Sequence, residues 1–446
     1  MRVIIVGAGD IGYQIAKFLT YEGVDVVIID RDGSKLRRIT EELDIATIEA
    51  EGSDPSAFKE AGADKADLII AVTNSDETNM IACLLGKAIF NINRKIARIR
   101  NPNYFFNKEL LSESNLDIDP AINPEFEAAQ AVTKLLEHAF ASEIIEFEQG
   151  EIIIIGIKIP EDSPIKEKKL KSIRTLLPKD FIIGIIERDE DVIIPSGEDI
   201  LQVGDIVYIP LKKEEIEEVA QSLGVYTEPA KKIMILGRGR IGYYIASKME
   251  SQLDIKIIEK DAERCNFLSK RLNKSLILHG DGANKQLLIE ENISNMDAYI
   301  ACSNNDELNI MSSLLAQKLG AKKVISIINR TDYVPLAHNL GIQSVLSPRL
   351  ITASIILRYV RKEEILSLIA IAENKAEIIE GVVNKTSSLI GQTLKDKIFP
   401  KNTILGAIKR DERIIIPKGE DFIKEQDKLI IFTLRDSIKE IEKLLA

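Results

Sequence analysis

Residues 2–12 read RVIIVGAGDIG, and residues 232–242 read KIMILGRGRIG. In each stretch an apolar run typical of a buried strand leads into a GxGxxG pattern and then into a stripe of apolar residues at helical spacing. The first glycine permits a tight turn, the second lets a pyrophosphate approach the backbone, and the third lets the helix pack on the strand. An acidic residue ends the next apolar run, Asp30 in one half and Glu259 in the other, where a carboxylate accepts hydrogen bonds from ribose hydroxyls. The pattern predicts two Rossmann-type nucleotide-binding domains.

The repeat extends well beyond the two glycine loops. ADLIIAVTNSDETNM at 66–80 matches DAYIACSNNDELNI at 297–310. A smaller repeat pairs FIIGIIERDEDVIIPSGE at 181–198 with TILGAIKRDERIIIPKGE at 403–420. Because both repeats keep their order, the chain consists of a large unit, a small unit, a large unit and a small unit.

Periodicity gives the fold class. In the first large unit, short apolar runs at 3–6, 26–29, 68–72 and 96–99 alternate with stretches of helical spacing, which is typical of βαβ units and a parallel sheet. The small units instead contain adjacent short strands separated by turn residues. We therefore predict an α/β protein with two Rossmann-type doubly wound parallel-sheet domains, each followed by a small α+β subdomain.

Prolines mark the links between units. Asn123-Pro124 and Ser347-Pro348 each precede an apolar-striped run, which predicts a long joining helix capped by Asn or Ser. Pro229 marks the linker between the halves. The expected boundaries are 1–122 for the first Rossmann domain, 123–142 for a joining helix, 143–226 for the first small subdomain, 231–346 for the second Rossmann domain, 347–362 for a joining helix and 363–446 for the second small subdomain.

The two glycine loops supply the candidate binding residues. The first site is Gly7, Ala8, Gly9, Asp10, Ile11, Gly12 and Asp30, and the second is Gly237, Arg238, Gly239, Arg240, Ile241, Gly242 and Glu259. An acid at the end of the second strand repels a 2′-phosphate, which favours NAD over NADP. The two arginines of the second loop have three interpretations: they grip a highly charged ligand, they reach a neighbour's ligand or acid, or they form a solvated basic pair.

Polar residues follow the fourth strand of each large unit, Thr73-Asn74 in the first and Ser303-Asn304 in the second. Ligands of open α/β sheets lie beyond the carboxyl ends of the strands, so these residues are candidate ligand contacts. They are equally suited to cap the helix that follows, since Asp76 and Glu77 favour a helix N-terminus.

Composition and missing motifs exclude several functions. The net charge of −11 argues against a nucleic-acid partner, which would need a basic surface. No apolar run approaches the ~18–20 residues that cross a bilayer, so we expect any membrane role to come through a partner. The three cysteines lie far apart, none of the three histidines recurs between the halves, and the phosphate-loop, HExxH and GxSxG signatures are missing. We expect no metal site, no catalytic residues and no enzymatic activity.

The chain resembles the TrkA family, the cytosolic subunits of bacterial Trk potassium-uptake systems, which carry two regulator-of-potassium-conductance (RCK) units. The most specific blocks are GAGDIG at 7–12, ADLIIAVTNSDETNM at 66–80, ARIRNPNY at 97–104 and HGDGANKQLLIEENI at 279–293. The resemblance implies Gly7 to Ile11, Asp30, Thr73, Asn74 and Arg98 for the first site, and Gly237 to Ile241 with Glu259 for the second. Residues 50–52 depart from the glycine-rich turn usual in the family.

The resemblance also implies NAD(H) or an adenine nucleotide (ATP or ADP) as the ligand, a ring of identical chains, and peripheral attachment to an integral-membrane, potassium-translocating subunit at the cytoplasmic face. The leading hypothesis is a nucleotide-sensing regulator that gates potassium uptake. The alternative is a soluble NAD-dependent oxidoreductase. Two cofactor domains without a substrate domain favour the regulator.

Overall fold

The computed structural model describes the whole chain except residues 22, 177–180, 190, 238, 361–364, 372–374 and 397. One predicted site residue, Arg238, therefore lies outside the described residues, as do residues 361–362 at the end of the second predicted joining helix.

The first Rossmann domain has a parallel sheet with the strand order β3-β2-β1-β4-β5-β6. Its central strands are fully buried because helices cover both faces, as in doubly wound folds. The strands are β1 Arg2–Val6, β2 Asp25–Asp30, β3 Ala46–Glu49, β4 Leu68–Ala71, β5 Arg94–Arg98 and β6 Ala121–Ile122, and the helices are α1 Asp10–Tyr21, α2 Gly33–Glu42, α3 Pro55–Glu60, α4 Asp76–Ala88, α5 Pro102–Phe105 and α6 Lys108–Leu111.

A joining helix and an antiparallel small domain follow. The sheet order is β10-β9-β11-β8-β7. The elements are α7 Pro124–Glu137, β7 Ala141–Phe147, β8 Ile152–Lys158, α8 Leu170–Leu176, β9 Ile185–Arg188, β10 Asp191–Ile193, β11 Ile206–Lys212 and α9 Ile216–Ser222.

The second half repeats this architecture, with a parallel sheet ordered β14-β13-β12-β15-β16-β17 and an antiparallel sheet ordered β18-β19-β22-β20-β21. Its elements are β12 Lys232–Leu236, α10 Arg240–Met249, β13 Asp254–Glu259, α11 Ala262–Ser269, β14 Leu276–His279, α12 Lys285–Glu290, β15 Ala298–Ala301, α13 Asp306–Lys318, β16 Lys323–Ile327, α14 Tyr333–Asn339, β17 Ser344–Leu346, α15 Pro348–Val360, β18 Ile365–Ile371, β19 Ala376–Val382, β20 Thr403–Arg410, β21 Arg413–Ile415, β22 Lys428–Leu434 and α16 Ile438–Leu445. The predicted fold class is confirmed.

Two expectations near the links need correction. The first joining helix was expected over 123–142, but α7 ends at Glu137, and residues 141–142 already belong to β7, which pairs with β8. Asn123 caps α7 by accepting a hydrogen bond from Phe126 N. The cap expected from Ser347 is wrong: the buried Ser347 hydroxyl has no hydrogen-bond partner among the described residues.

The joining helices are exchanged between the halves. Helix α7 of the first half packs on α10 of the second, burying Ala129 and Val132 beside Ile245. Helix α15 of the second half packs on α1 of the first, burying Ile356 beside Ile15. We call α7 and α15 the exchange helices. Because α1 and α10 begin at the glycine loops, each loop is mechanically linked to the helix of the opposite half.

Cations from the Rossmann sheets hold the carboxyl ends of the exchange helices. The buried Lys323 at the start of β16 donates to the carbonyls of Leu135, Ala139 and Ala141 at the end of α7, with an Nζ–O distance of 3.0 Å to Ala139. Arg94 at the start of β5 donates to the Tyr359 carbonyl near the end of α15. Such positions favour positive charge because the helix dipole is negative there.

The two small domains pack against one another through apolar sheet faces. Tyr208 of the first and Phe432 of the second belong to one buried cluster. At its edge Glu148 forms ion pairs with Lys409 at 2.9 Å and with Lys428 at 2.7 Å. The two halves of the chain therefore contact each other in two places, at the exchange helices and at the small domains.

Candidate functional site

The first glycine loop shows which glycines the fold needs. Gly7 has a φ of +116°, and a Cβ there would lie 2.9 Å from Thr73 N. A Cβ on Gly12 would lie 1.9 Å from the Gly7 carbonyl oxygen. A Cβ on Gly9 would meet nothing within 4 Å. The fold thus requires Gly7 and Gly12, whereas the space beside Gly9 is open to a ligand.

Asp30 lies against the loop, at the carboxyl end of β2. Its two oxygens accept hydrogen bonds from Ala8 N at 2.6 Å and from Asp32 N at 2.8 Å. The carboxylate is only half-buried. A carboxylate oxygen can accept more than one hydrogen bond, so both oxygens keep acceptor capacity for a ribose.

The ends of β4 and β5 are tied together by the buried Asn79. Its amide donates to the carbonyls of Thr73 at 3.2 Å and Arg98 at 2.8 Å, and its oxygen accepts from the Thr73 hydroxyl at 2.7 Å. The Arg98 guanidinium donates to the Asn74 side chain at 3.0 Å. The helix cap considered for Thr73 and Asn74 is instead Ser75, whose hydroxyl accepts from Thr78 N.

Arg98 keeps an unused donor. Its buried Nε has no hydrogen-bond partner among the described residues. Burial lowers the pKa of Arg98, and the nearby Arg100 adds to this effect. An anionic or carbonyl-bearing ligand would satisfy that donor, so the residues present fit a nucleotide.

The second glycine loop repeats the first, with less free space beside its middle glycine. Gly237 has a φ of +118°, and a Cβ on Gly239 would lie 3.3 Å from the Cys302 carbonyl oxygen. Ile241 and Gly242 are buried in the first turn of α10. Glu259 is buried and accepts a hydrogen bond from Asp261 N at 2.7 Å. The predicted contribution of Arg238 lies outside the described residues.

Both loops open into one cavity between the two Rossmann domains. Its volume is about 690 Å³, within the range of about 300–1,000 Å³ typical of ligand pockets. Gly9 and Gly239 both line it, as do Asn74 and Asn304. Among the described residues its charged lining comprises Lys35, Arg98, Arg100, Arg240, Arg264, Arg349, Asp10 and Glu125. Cations outnumber carboxylates, so this shared cavity favours anions.

Charged contacts cross the shared cavity from one half to the other. Asp10, the first residue of α1, forms an ion pair with Arg349 of the second half. Arg240, the first residue of α10, donates to the carbonyl of Arg100 in the first half at 3.1 Å. Arg100 in turn binds the Glu125 carboxylate at 2.7 Å. Of the interpretations of the second-loop arginines, the structure favours for Arg240 a reach into the other half.

The binding residues predicted from the sequence left out five charged residues of this cavity, one of which is Arg100. Lys35 follows Asp30 by five positions and Arg264 follows Glu259 by five positions, so the repeat itself held a signal for this pair. Glu125 and Arg349 each follow the proline that begins an exchange helix. Glu125 and Arg349 line the cavity because each exchange helix packs on the opposite half, which the local sequence does not indicate.

Among the described residues that line this cavity there is no histidine. His279 ends β14 beside its register partner Glu259. His138 ends α7 and burial lowers its pKa, while His338 lies in α14. Within the part of the chain that the structure describes, no cluster of three or more His, Cys, Asp or Glu side chains is arranged to hold a metal ion. Over the same residues, the helices are too short or too polar to cross a membrane.

Fold and site define a class of protein: two tandem Rossmann domains whose glycine loops face one cationic cavity, each followed by a small antiparallel domain. Two domain families match this arrangement. The TrkA-N domain matches residues 3–124 and 233–348, and the TrkA-C domain matches residues 154–224 and 378–446.

Relatives match nearly the whole chain. The Trk system potassium uptake protein TrkA of Halomonas elongata is 34% identical over 431 residues, covering 96% of this chain and 94% of that protein. TrkA of Vibrio alginolyticus is 34% identical over 432 residues with the same coverage. TrkA homolog 2 of Methanosarcina mazei is 35% identical over 435 residues, covering 96% of each chain. The chain belongs to the TrkA family of Trk system potassium uptake proteins.

Solved structures share the fold. The GsuK RCK domain superposes with a TM-score of 0.61 at 17% identity, covering 100% of this chain and 94% of that chain. The GsuK channel bound to NAD gives a TM-score of 0.61 at 17% identity, covering 100% of this chain and 78% of that chain. GsuK bound to ADP gives 0.51 at 14% identity, covering 80% and 68%.

Proposed function

We propose that this chain is the nucleotide-sensing regulatory subunit of a membrane potassium-uptake transporter, and that it acts without consuming its ligand. The observation that carries the proposal is the shared cavity, in which two glycine loops on different domains face a common set of cations. A ligand in such a cavity contacts both domains and therefore favours one arrangement of them over another. The names of the relatives supply the potassium-uptake system.

The ligand is NAD(H) or an adenine nucleotide. In the first site, the loop from Gly7 to Gly12 would hold the phosphates at the N-terminus of α1, and Asp30 would bind the ribose. Thr73, Asn74 and Arg98 would border the part of the ligand that extends beyond β4. In the second site the corresponding groups are the loop from Gly237 to Gly242 and Glu259. Support comes from the open space beside Gly9 and the unused Arg98 donor.

The exchange helices would transmit occupancy to the small domains. Helix α1 begins at the first loop and packs on α15, which leads into the second small domain. Helix α10 begins at the second loop and packs on α7, which leads into the first small domain. A ligand that draws the two loops together would therefore move both small domains.

The regulator would act as a ring of identical chains, attached at the cytoplasmic face to an integral-membrane, potassium-translocating subunit. Helices α4 and α13 occupy equivalent places in the two Rossmann domains and both expose apolar side chains. Ile81 on α4 is 41% exposed and Met311 on α13 is 63% exposed. Apolar faces of this kind suit contacts between copies. In a ring, several sites can each contribute part of the free energy that shifts the assembly from one state to the other.

The energy required is within reach of such an assembly. Moving a two-state equilibrium from 1:99 to 99:1 needs about 5.5 kcal/mol of differential binding. Coupling between one site and a distant state typically supplies about 1–3 kcal/mol. A few occupied sites in one ring would therefore suffice.

Binding is tested with one substitution made in both loops. Gly9→Val should abolish nucleotide binding at the first site with an unchanged circular dichroism spectrum, because a Cβ there meets no protein atom within 4 Å and the side chain would occupy the ligand's space. Gly239→Val makes the corresponding change in the second loop and should weaken binding there most, although its Cβ would also lie 3.3 Å from the Cys302 carbonyl oxygen. Isothermal titration with NADH, NAD, ATP and ADP provides the measurement. Equal affinity of wild type and Gly9→Val for each ligand would refute the assigned pocket.

Regulation is tested in liposomes that contain the membrane partner. Potassium flux should depend on nucleotide concentration and should respond equally to a non-hydrolysable ATP analogue or a redox-inert NAD analogue. Flux that depends only on continuous conversion of NADH to NAD would favour the oxidoreductase. Flux independent of nucleotide would reject the regulatory proposal.

A further inference from the structure

The contact between the halves carries inverted charges at equivalent positions. The first residue of the loop helix is Asp10 in α1 and Arg240 in α10. The second residue of the exchange helix, directly after its proline, is Glu125 in α7 and Arg349 in α15. At these two equivalent positions the first half therefore carries acids, and the second half carries bases.

One acid of the first half meets a base of the second across the shared cavity, and the other is linked to a base of the second half through Arg100 of its own half. Asp10 forms an ion pair with Arg349. On the opposite side, Arg240 binds the Arg100 carbonyl at 3.1 Å, and the Arg100 side chain binds Glu125 at 2.7 Å. Arg240 and Arg349 stand in the first turns of their helices, where the macrodipole disfavours positive charge. Local helix stability therefore does not explain these two arginines.

The apolar part of the contact does not distinguish the halves. The buried residues of α7 include Ala129 and Val132, and the equivalent residues of α15 are Ala353 and Ile356. Both exchange helices thus offer similar apolar stripes to similar loop helices. A first half could by shape and hydrophobicity pair with the first half of another copy.

Charge separates the two arrangements. Pairing of two first halves would bring Asp10 of one copy to Glu125 of the other, and pairing of two second halves would bring Arg240 to Arg349. Like charges at a contact oppose association, whereas the observed pairing joins unlike charges.

We infer that the charges of four residues form a charge code, namely those of Asp10, Glu125, Arg240 and Arg349. This charge code favours packing of each half on the other half of its own chain and disfavours packing of two first halves, or of two second halves, from different copies. The occupant of the exchange-helix contact on the first half is accordingly the second half of the same chain. The code adds to the tether between the halves, which alone raises their local concentration to the millimolar range.

A single substitution should invert the preference. Asp10→Arg places like charges against Arg349 and at the same time creates a base that fits Glu125 of another copy. The readout is a photo-crosslinking amino acid in place of Tyr13, which packs on the cluster that contains α15. In the otherwise unchanged full chain it should label residues 348–360 within one chain. In Asp10→Arg this adduct should fall several-fold, and a cross-chain adduct with residues 124–137 should appear.

Two further variants separate the code from damage to the loop. The swap Asp10→Arg with Arg349→Asp should restore the within-chain adduct, because unlike charges face each other again. The neutral variant Asp10→Asn should keep the wild-type adduct, since it creates no complement for another copy. An adduct pattern in Asp10→Arg identical to that of the wild type would overturn the inference, and so would a swap that fails to restore the pattern.

Discussion

The two glycine loops have nearly the same backbone and opposite chemistry. Gly7 and Gly237 adopt the same left-handed turn, with φ of +116° and +118°. The first loop then carries Asp10, neutralised by an arginine of the other half, whereas the second carries Arg240, which reaches into the other half itself. Duplication has preserved the geometry that phosphates require while changing the charge beside it. The two sites are therefore chemically distinct, although they share one cavity.

The largest difference between the loops should be in the stability that is lost when the third glycine of each loop is replaced by alanine. A Cβ on Gly12 would lie 1.9 Å from the Gly7 carbonyl oxygen, but on Gly242 it would lie 2.9 Å from the Gly237 carbonyl oxygen. Gly12→Ala should therefore destabilise its domain by roughly 3 kcal/mol or more, and Gly242→Ala by about 1–3 kcal/mol. Urea unfolding followed by circular dichroism measures the loss, and hydrogen exchange identifies the domain. Equal losses would show that the first loop relaxes as easily as the second.

The next difference concerns the two cations at the ends of the exchange helices. Burial lowers the pKa of Lys323 to about 7, whereas Arg94 is exposed. Between this value and the lysine pKa of about 10.4 in the unfolded chain, the unfolded state holds a proton that the folded state lacks. The free energy of unfolding should therefore rise with pH by about 1.4 kcal/mol per unit from this group, and the slope should vanish below about pH 7.

Substitution of Lys323 tests whether this residue causes the rise of the free energy of unfolding with pH. Lys323→Met should remove it, so that the wild type gains stability over the variant between pH 7 and 9. Arg94→Met is the matched control and should leave the slope in place. Urea midpoints at several pH values provide the measurement, and parallel curves for wild type and Lys323→Met would contradict the buried titration.

The smallest effect should distinguish the charges of the two loops. Arg240→Gln should weaken ATP binding about tenfold, since an exposed charge-assisted contact to phosphate is worth roughly 1.4 kcal/mol. Asp10→Asn should act in the opposite direction and strengthen ATP binding, because it removes an acid beside the phosphates and frees Arg349. Adenosine binding should change little in either variant. Calorimetry with both ligands makes the comparison, and Lys260→Gln, whose ion pair lies outside the cavity, is the control. Loss of ATP and adenosine binding alike would indicate collapse of the loop.

Most of the fold could be predicted because its signals are local. The buried runs at 3–6 and 68–72 lie in β1 and β4, and the apolar stripe from Ile11 lies in α1. The errors occurred where a partner element decides the structure. Residues 141–142 were expected at the end of the joining helix but form part of β7, where Ala141 pairs with Ile157 of β8 and the register shifts before Glu143.

The candidate site was only half visible to sequence reasoning. The glycines and Asp30 follow the spacing typical of nucleotide-binding loops, so the sequence alone could propose them as contacts for phosphate and ribose. Asn79, which ties β4 to β5, was recognised as repeated but not as a tie, since its partners lie on two strands. Glu125 and Arg349 had no motif to identify them, because a charged residue after a helix-starting proline is ordinary.

By itself the sequence determined the repeated strand–loop–helix units and the parallel sheets, and it predicted the residues that a nucleotide would contact. These follow from the side-chain periodicity of strands and helices and from the few backbone conformations that glycine allows. Only the tertiary structure decided that the joining helices change places, that both loops face one cavity, and that Asp10 meets Arg349. Those contacts join residues more than a hundred positions apart, and no local pattern in the chain encodes which of two similar helices will pack against which loop.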